Sequence, residues 1–279
     1  MKFKPSFSNI ITYVVLISLT LVFLAPFVWT VFTSVKPDSE IYSQTIRLFP
    51  TKLTLTHYER VINKMQDFPK FFFNTVSITF WTLLLIVLLA TTSGYTFGVI
   101  PFKGHKLFLV FILLVLTLPY ALYLIPVYLM LDSINVINTH LALILPYAAL
   151  NLPMSILIMR GSFKRIPKEL EEASIIDGCS IFQTWWHVML PVVKPSVAVV
   201  IVLAFINVWG EFMYGRTLTN SPDAQTLAIG ITFLRDEAAS WQFGPLSTAI
   251  TLSIIPPFII FVAMQKYFVK GIIEGALKG

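Results

Sequence analysis

Long apolar runs separated by shorter polar stretches set the pattern of this chain. Six runs fall at residues 10–32, 72–99, 107–131, 141–159, 196–213 and 246–265. About 20 residues of helix cross the hydrocarbon core of a bilayer, so each run suffices for roughly one crossing. The pattern therefore predicts an all-α membrane protein of six transmembrane helices. Pro119, Pro126, Pro146, Pro153, Pro256 and Pro257 fall inside or near these runs. Membrane helices tolerate such prolines when neighbouring helices or waters satisfy the freed carbonyls. They predict kinks, serving either ordinary packing or the wall of a cavity.

Composition agrees. Of 279 residues, 56% are apolar and 12% charged, whereas soluble domains run nearer a quarter charged; the mean hydropathy is +0.79. No Gly/Ser linker, internal repeat or soluble domain interrupts the pattern, so residues 1–279 read as a single transmembrane domain. Lys2 and Lys4 precede the first run in the manner of a signal peptide. That run is longer than a cleavable apolar region, and Ala25-Pro26-Phe27 is a poor cleavage site, so it reads as a retained span. A single cysteine, Cys179, excludes an internal disulfide framework. The net charge of +6 is modest, and no basic cluster with interleaved aromatics suggests nucleic acid.

Orientation follows from lysine and arginine. With the N-terminus in the cytoplasm, twelve lie inside: Lys2, Lys4, Lys103, Lys106, Arg160, Lys164, Arg165, Lys168, Lys194, Lys266, Lys270 and Lys278. Eight lie outside: Lys36, Arg47, Lys52, Arg60, Lys64, Lys70, Arg216 and Arg235. The outer connections Ser34–Lys70 and Thr217–Phe243 are long and the inner loop Pro101–Lys106 short, so the density contrast is greater still. The positive-inside rule places both termini in the cytoplasm.

One sizeable inner loop remains, 161–195, between the fourth and fifth spans. Pro167 suits a helix start, and Glu169, Glu171 and Glu172 follow near the positive end of the helix dipole. Leu170, Ala173, Ile176 and Asp177 fall on overlapping faces. Gly178 suits a helix end, and a second short helix over Ile181–Val188 returns the chain to the membrane at Leu190-Pro191. Two readings fit. The loop lies on lipid headgroups with Trp185 and Trp186 as anchors, or it presents a docking surface to a partner.

Glu172-Ala173-Ser174, followed by Asp177-Gly178 and Leu190-Pro191, resembles the EAA signature of binding-protein-dependent ABC importer permeases. The resemblance extends over the chain. Pro26, Trp29 and Ser34-Val35-Lys36 resemble the end of the family's first span, and Phe73-Asn74-Thr75 the start of its second. Leu118-Pro119, Pro126 and Asn138-Thr139 resemble the third and fourth, and Trp209-Gly210-Glu211-Phe212 the end of the fifth. The tail from Gln265 to Gly279 is similar to that of maltose-type carbohydrate permeases. Ser174 stands where the family usually has a second alanine, and Cys179 where a small alanine often follows.

The resemblance implies that loop 161–195 is a cytoplasmic coupling loop docking on an ATPase subunit. Glu172, Ala173, Ser174, Asp177, Gly178, Leu190 and Pro191 would form its coupling set, with Glu172 meeting a basic group and Gly178 setting the bend. It implies a second permease subunit (a different chain), two cytoplasmic ATPases, an extracytoplasmic solute-binding protein facing the outer loops, and a tail lying near the ATPases. The chain itself lacks a G-x-x-x-x-G-K-[ST] phosphate loop, so ATP and Mg belong to partners and no cofactor or metal is expected on it. The membrane implied is the cytoplasmic one of a bacterium or archaeon.

The implied cargo is a sugar, a di- or oligosaccharide. Hydroxyls beside an apolar face suit hydrogen-bonding groups next to aromatic rings. Asn74, Tyr120, Tyr123, Asn151, Asn207, Trp209, Glu211 and Tyr214 are therefore the candidate solute-path residues, although Trp209 and Tyr214 also fit an aromatic belt and Asn207 a helix-to-helix bond. A glycerol-phosphate or polyol solute is the alternative, yet few basic residues lie mid-span. A passive channel would leave the loop unexplained. A membrane-embedded enzyme lacks support: His57, His105, His140 and His187 are scattered, with no H-E-x-x-H motif or paired intramembrane carboxylates.

Overall fold

The computed structural model describes residues 7–45, 47–64, 67–234 and 242–276, with side chains omitted at 7–10, 64 and 268–276. Lys2, Lys4, Arg235, Lys278 and the last residues of the tail lie outside the described residues, as do the side chains of Lys64 and Lys270. All regular structure among the described residues is helical.

Among the described residues, four continuous helices are long and apolar enough to cross a membrane: α1 (Phe7–Ser34), α2 (Phe68–Gly98), α5 (Leu141–Phe163) and α11 (Phe243–Ala276). Two further candidate crossings are bent pairs. The first joins α3 (His105–Thr117) to a 3₁₀ turn, Tyr120–Tyr123, and α4 (Leu124–Ser133) at 99°. The second joins α7 (Ile181–Val192) to α8 (Lys194–Trp209) at 79°. Between them lies α6 (Lys168–Ile176), and after them come α9 (Met213–Leu218) and α10 (Leu227–Thr232). The described residues thus carry four to six candidate spans.

The third predicted run, 107–131, is not one straight helix. A residue before proline is driven from the helical region, and Leu118 is extended, with φ −85° and ψ 133°. The helix stops there and resumes past Pro119. The Tyr123 hydroxyl donates to the Val115 carbonyl at 3.2 Å, which also accepts the Leu118 N–H at 3.3 Å, so the end of α3 is tied across the break. Within the spans, several hydroxyls that would be costly in lipid bond their own helix. Thr20, Thr92, Ser155 and Thr251 each donate to the carbonyl four residues earlier.

Contacts group the chain into two units, Met1–Pro69 with Ile231–Ile255, and Lys70–Gly230 with Pro256–Gly279. In the first, α1 exposes every side chain from Ile11 to Trp29. The connection after it folds around His57, which is 1% exposed and bonded through Nε2 to the Lys36 carbonyl at 2.8 Å. Arg60 pairs with Asp38 at 2.8 Å, and Lys36 lies over the Trp29 ring at 4.8 Å.

In the second unit, α2, α5, α7 and α8 share a core that includes Ile86, Ala90, Tyr95, Met159, Phe163, Trp185 and Ala204. Gly94 and Gly98, four residues apart, let α2 meet α5 backbone to backbone, the geometry that small residues permit between membrane helices. A Cβ at Gly94 would lie 3.0 Å from the Arg160 nitrogen, and one at Gly98 3.0 Å from the Arg160 carbonyl oxygen. Gly94→Leu is therefore expected to destabilise the unit by about 1–3 kcal/mol or more through overpacking. The measurement is thermal aggregation of the purified protein; an unchanged midpoint would mean that the helices part without penalty.

Candidate functional site

Two constellations in the second unit stand out, a polar cavity and the segment following α5. The cavity has a volume of about 650 Å³, within the range of small-molecule sites. Helix α5 contributes Tyr147, Leu150 and Asn151, which share a face by their i, i+3 and i+4 spacing. Helix α8 contributes Ile206 and Asn207. The turn that ends it brings in Gly210, Glu211 and Phe212, and Tyr120 faces them from the α3–α4 break.

The polar groups are already linked. Asn207 Nδ2 donates to Asn151 Oδ1 at 2.9 Å, and Asn151 Nδ2 donates to the Tyr147 carbonyl at 2.8 Å. Glu211 accepts the Tyr147 hydroxyl at 2.5 Å on Oε2. It also accepts the backbone N–H of Tyr214 at 2.9 Å and of Gly215 at 3.1 Å. One carboxylate thus holds the first turn of α9, ties it to α5, and keeps acceptor capacity toward the cavity. Among the described residues, Glu211 is the one charged side chain on the lining.

Of the predicted solute-path residues, Tyr120, Asn151, Asn207 and Glu211 converge on this cavity. Tyr214 stands behind them, its ring stacked on Tyr120 at 6.2 Å and its hydroxyl donating to the Tyr120 carbonyl at 2.9 Å. Three lie elsewhere. Tyr123 bridges the α3–α4 break. Trp209 stacks on Phe205 at 5.3 Å and meets Phe72 edge-on.

Asn74 belongs to a clasp on segment 219–227. It donates to the carbonyls of Pro222 and Gln225, both at 2.9 Å, and its Oδ1 lies 3.1 Å from His140 Nε2. Asn138, Thr75 and the Lys70–Asp223 ion pair hold the same segment. Tyr147 was not among the predicted residues. Its signal was present in the sequence, one helical turn before Asn151.

The second constellation is a helix, a sharp reversal and another helix. Pro167 is extended and precedes α6 instead of opening it. Asp177 ends the helix, and Gly178 takes the left-handed conformation with φ 81°. The Cys179 N–H donates to the Ser174 carbonyl and the Gly178 N–H to that of Ile175, both at 3.0 Å, the paired bonds of a Schellman motif. Ser180 then opens α7 with a capping box, donating to Gln183 Oε1 at 2.8 Å and accepting the Gln183 N–H at 3.3 Å. The predicted second helix, 181–188, continues to Val192 and is π-helical over Thr184–Met189.

Ser174 is buried and shares a 2.9 Å hydrogen bond with Thr184, fastening α6 to α7. The hydroxyl that departs from the usual alanine is what makes this bond. Glu172, Ala173, Asp177, Gly178 and Pro191 are exposed, and Leu190 is half-buried. Ile176 is 85% exposed, with Ile175, Ile181 and Phe182 exposed beside it. The two tryptophans part company: Trp185 is buried in the core and Trp186 exposed.

Burial and then the neighbouring Glu172 charge push the Glu171 carboxyl above its ordinary value, against the opposing pull of Lys168. A carboxyl raised in the folded state penalises folding above its folded pKa. The penalty vanishes once pH falls below the unfolded value. Glu171→Gln is expected to raise the unfolding midpoint at neutral pH and to match the wild type in acid. Midpoints measured across pH check this, and a lower midpoint at neutral pH would contradict it.

Residues 90–274 match the family described as binding-protein-dependent transport system inner membrane component. The sulfoquinovosyl glycerol transport system permease protein SmoH of Agrobacterium fabrum is 32% identical over 92% of this chain and 89% of its own length. The trehalose/maltose transport system permease protein MalG of Thermococcus litoralis is 31% identical over 94% of each. The galactooligosaccharides transport system permease protein GanQ of Bacillus subtilis is 28% identical over 100% of this chain and 99% of its own. A chain of a bacterial ABC transporter for import of the acidic polysaccharide alginate superposes with a TM-score of 0.83 at 21% identity, covering 96% of this chain and 100% of that one.

The fold is that of an ABC importer permease. The chain belongs to the family of binding-protein-dependent transport inner membrane components, and is a membrane-embedded, multi-pass protein.

Proposed function

We propose that this chain is the translocation subunit of an ATP-driven importer that passes a neutral di- or oligosaccharide delivered by an extracytoplasmic binding protein. The observation that carries the reading is the cavity, where amides, phenols and the Glu211 carboxylate surround a space of about 650 Å³ beside the apolar Leu150 and Ile206. Such a lining suits hydroxyls on an apolar ring face. Relatives whose names specify trehalose/maltose and galactooligosaccharides support it.

Both termini and segment 161–195 lie in the cytoplasm, as the distribution of lysine and arginine favours. The segment docks on one of two ATPase subunits. Glu172 meets a basic group there, the small Ala173 allows close approach, and the reversal at Gly178 holds the angle between α6 and α7. Asp177, Ser174, Leu190 and Pro191 maintain that shape. ATP and Mg are bound by the ATPases, whose closure swings the spans between inward- and outward-open states. A second, different permease subunit completes the pore, and the outer connections receive the binding protein. The membrane is the cytoplasmic membrane of a bacterium or archaeon.

The test is ATP hydrolysis by the assembled importer in proteoliposomes, with binding protein loaded from a saccharide panel. Hydrolysis is expected to rise with at least one neutral saccharide. No stimulation by any saccharide, with stimulation by a phosphorylated or other non-sugar solute, would overturn the cargo. Saccharide entry without ATP would overturn the mechanism.

A further inference from the structure

We propose that the recess formed where α2, α3, α5 and α6 meet binds the headgroup of an aminophospholipid, one carrying a phosphate and a primary ammonium, as phosphatidylethanolamine does. The recess has a volume of about 500 Å³. Its walls come from the last residues of α2, the first of α3 and the end of α5, all termini of membrane-length segments, with α6 closing one side. A bilayer places its headgroups at that level.

The charges on the wall have an unusual distribution. Arg160, Lys164 and Lys168 follow one another at intervals of four residues and all line the recess, with His105 beside them. Glu171 and Glu172 line it as well. None of the three cations makes an ion pair with either carboxylate, although groups of both signs share the space; the ion pairs among the described residues are formed by other residues. Arg160 donates from Nε to the Phe97 carbonyl at 3.3 Å, which fixes the guanidinium at the wall while its terminal amino groups remain available.

A guest of one sign would satisfy half of this wall and be repelled by the other half. A guest bearing both signs fits it: phosphate oxygens to the Arg160, Lys164 and Lys168 side, ammonium hydrogens to the Glu171 carboxylate, which leaves Glu172 to the ATPase. A choline headgroup has no N–H to offer that carboxylate, and a glycerol headgroup has no cation. The apolar half of the lipid has a path too. Helix α3 leaves the recess with Leu107, Phe108 and Phe111 exposed, at 74%, 56% and 64%. Those side chains suit acyl chains running down the helix from a headgroup held at its start. The proposal requires only that these helix ends lie at the bilayer surface, and it stands whichever solute the protein carries.

The importer purified through this chain, in nanodiscs of phosphatidylcholine mixed with phosphatidylethanolamine or phosphatidylglycerol, provides the test. Lipids retained through delipidation are counted by native mass spectrometry, and unfolding is followed by heating. Phosphatidylethanolamine is expected to be retained several-fold over both other lipids and to raise the unfolding temperature. Lys164→Gln with Lys168→Gln is expected to bring its retention down to the phosphatidylcholine level, whereas Lys164→Arg keeps it. Glu171→Gln is expected to move the preference toward phosphatidylglycerol. Equal retention of the three lipids, a wild-type preference for phosphatidylglycerol, or full retention in the double lysine variant would overturn the site. Inorganic phosphate alone is expected to leave the unfolding temperature unchanged; stabilisation equal to that by the lipid would overturn it in favour of a free-anion site.

Discussion

Cells carrying Glu172→Lys are expected to lose ATP-driven uptake while the protein remains inserted in the membrane. Glu172 is exposed on α6, within a turn of the Schellman reversal, and has no ion-pair partner among the described residues. Reversing its charge leaves the fold of this chain almost untouched. The effect should fall on docking, where truncating or reversing one half of a buried charge pair costs about 2–5 kcal/mol, roughly thirtyfold or more in affinity. Uptake of labelled solute, with membrane content measured on the same cells, reads the outcome. Normal uptake in the variant would remove Glu172 from the coupling surface, and Glu172→Gln should fall between the two.

Glu211→Ala is expected to have the other large effect, by a different route. The carboxylate accepts one hydroxyl and two backbone N–H groups at the base of α9. Removing it strands three donors, each worth about 1–3 kcal/mol when left buried and unpaired. Transport is expected to fall at least tenfold, with a lower unfolding temperature. Glu211→Gln retains the carbonyl acceptor and should keep most of the stability. Tyr147→Phe removes a single donor, so combining it with Glu211→Ala should give much less than the sum of the two losses, because both act on one hydrogen bond. Additive losses would mean that the two residues work independently, and wild-type transport in Glu211→Ala would remove the anchor from the translocation path.

The helical membrane architecture was legible in the sequence because a bilayer imposes both length and hydropathy on whatever crosses it. The segment 161–195 was legible for a local reason: Pro167 and Pro191 restrict the backbone wherever they occur, and Gly178 admits the left-handed turn that other residues resist. Direction was not. Residues 107–131 read as one span because hydropathy takes no account of the bend that Leu118-Pro119 introduces. The π-helical stretch in α7 likewise leaves no mark on the apolar pattern.

The cavity was half legible. Asn151, Asn207 and Glu211 stand out as polar groups in apolar runs, and they converge. Asn74 looks the same in sequence, yet its amide is consumed by the carbonyls of Pro222 and Gln225, 148 and 151 residues away. Only the fold separates a polar group that faces a space from one that clasps a loop. Tyr147 escaped for the complementary reason, since its partner Glu211 is 64 residues distant.

The back-to-back caps around Gly178 have a mechanical consequence. The Schellman bonds end one helix and the capping box starts the next within a few residues, and the Ser174–Thr184 bond crosses between them. The angle at this elbow is therefore fixed by short-range bonds internal to the chain. A push delivered to α6 reaches α7 as torque, with little play lost in the joint. Stiffness of this kind resides in the elbow itself, and a spin label placed on each helix should report the same separation before and after a partner grips the exposed tip.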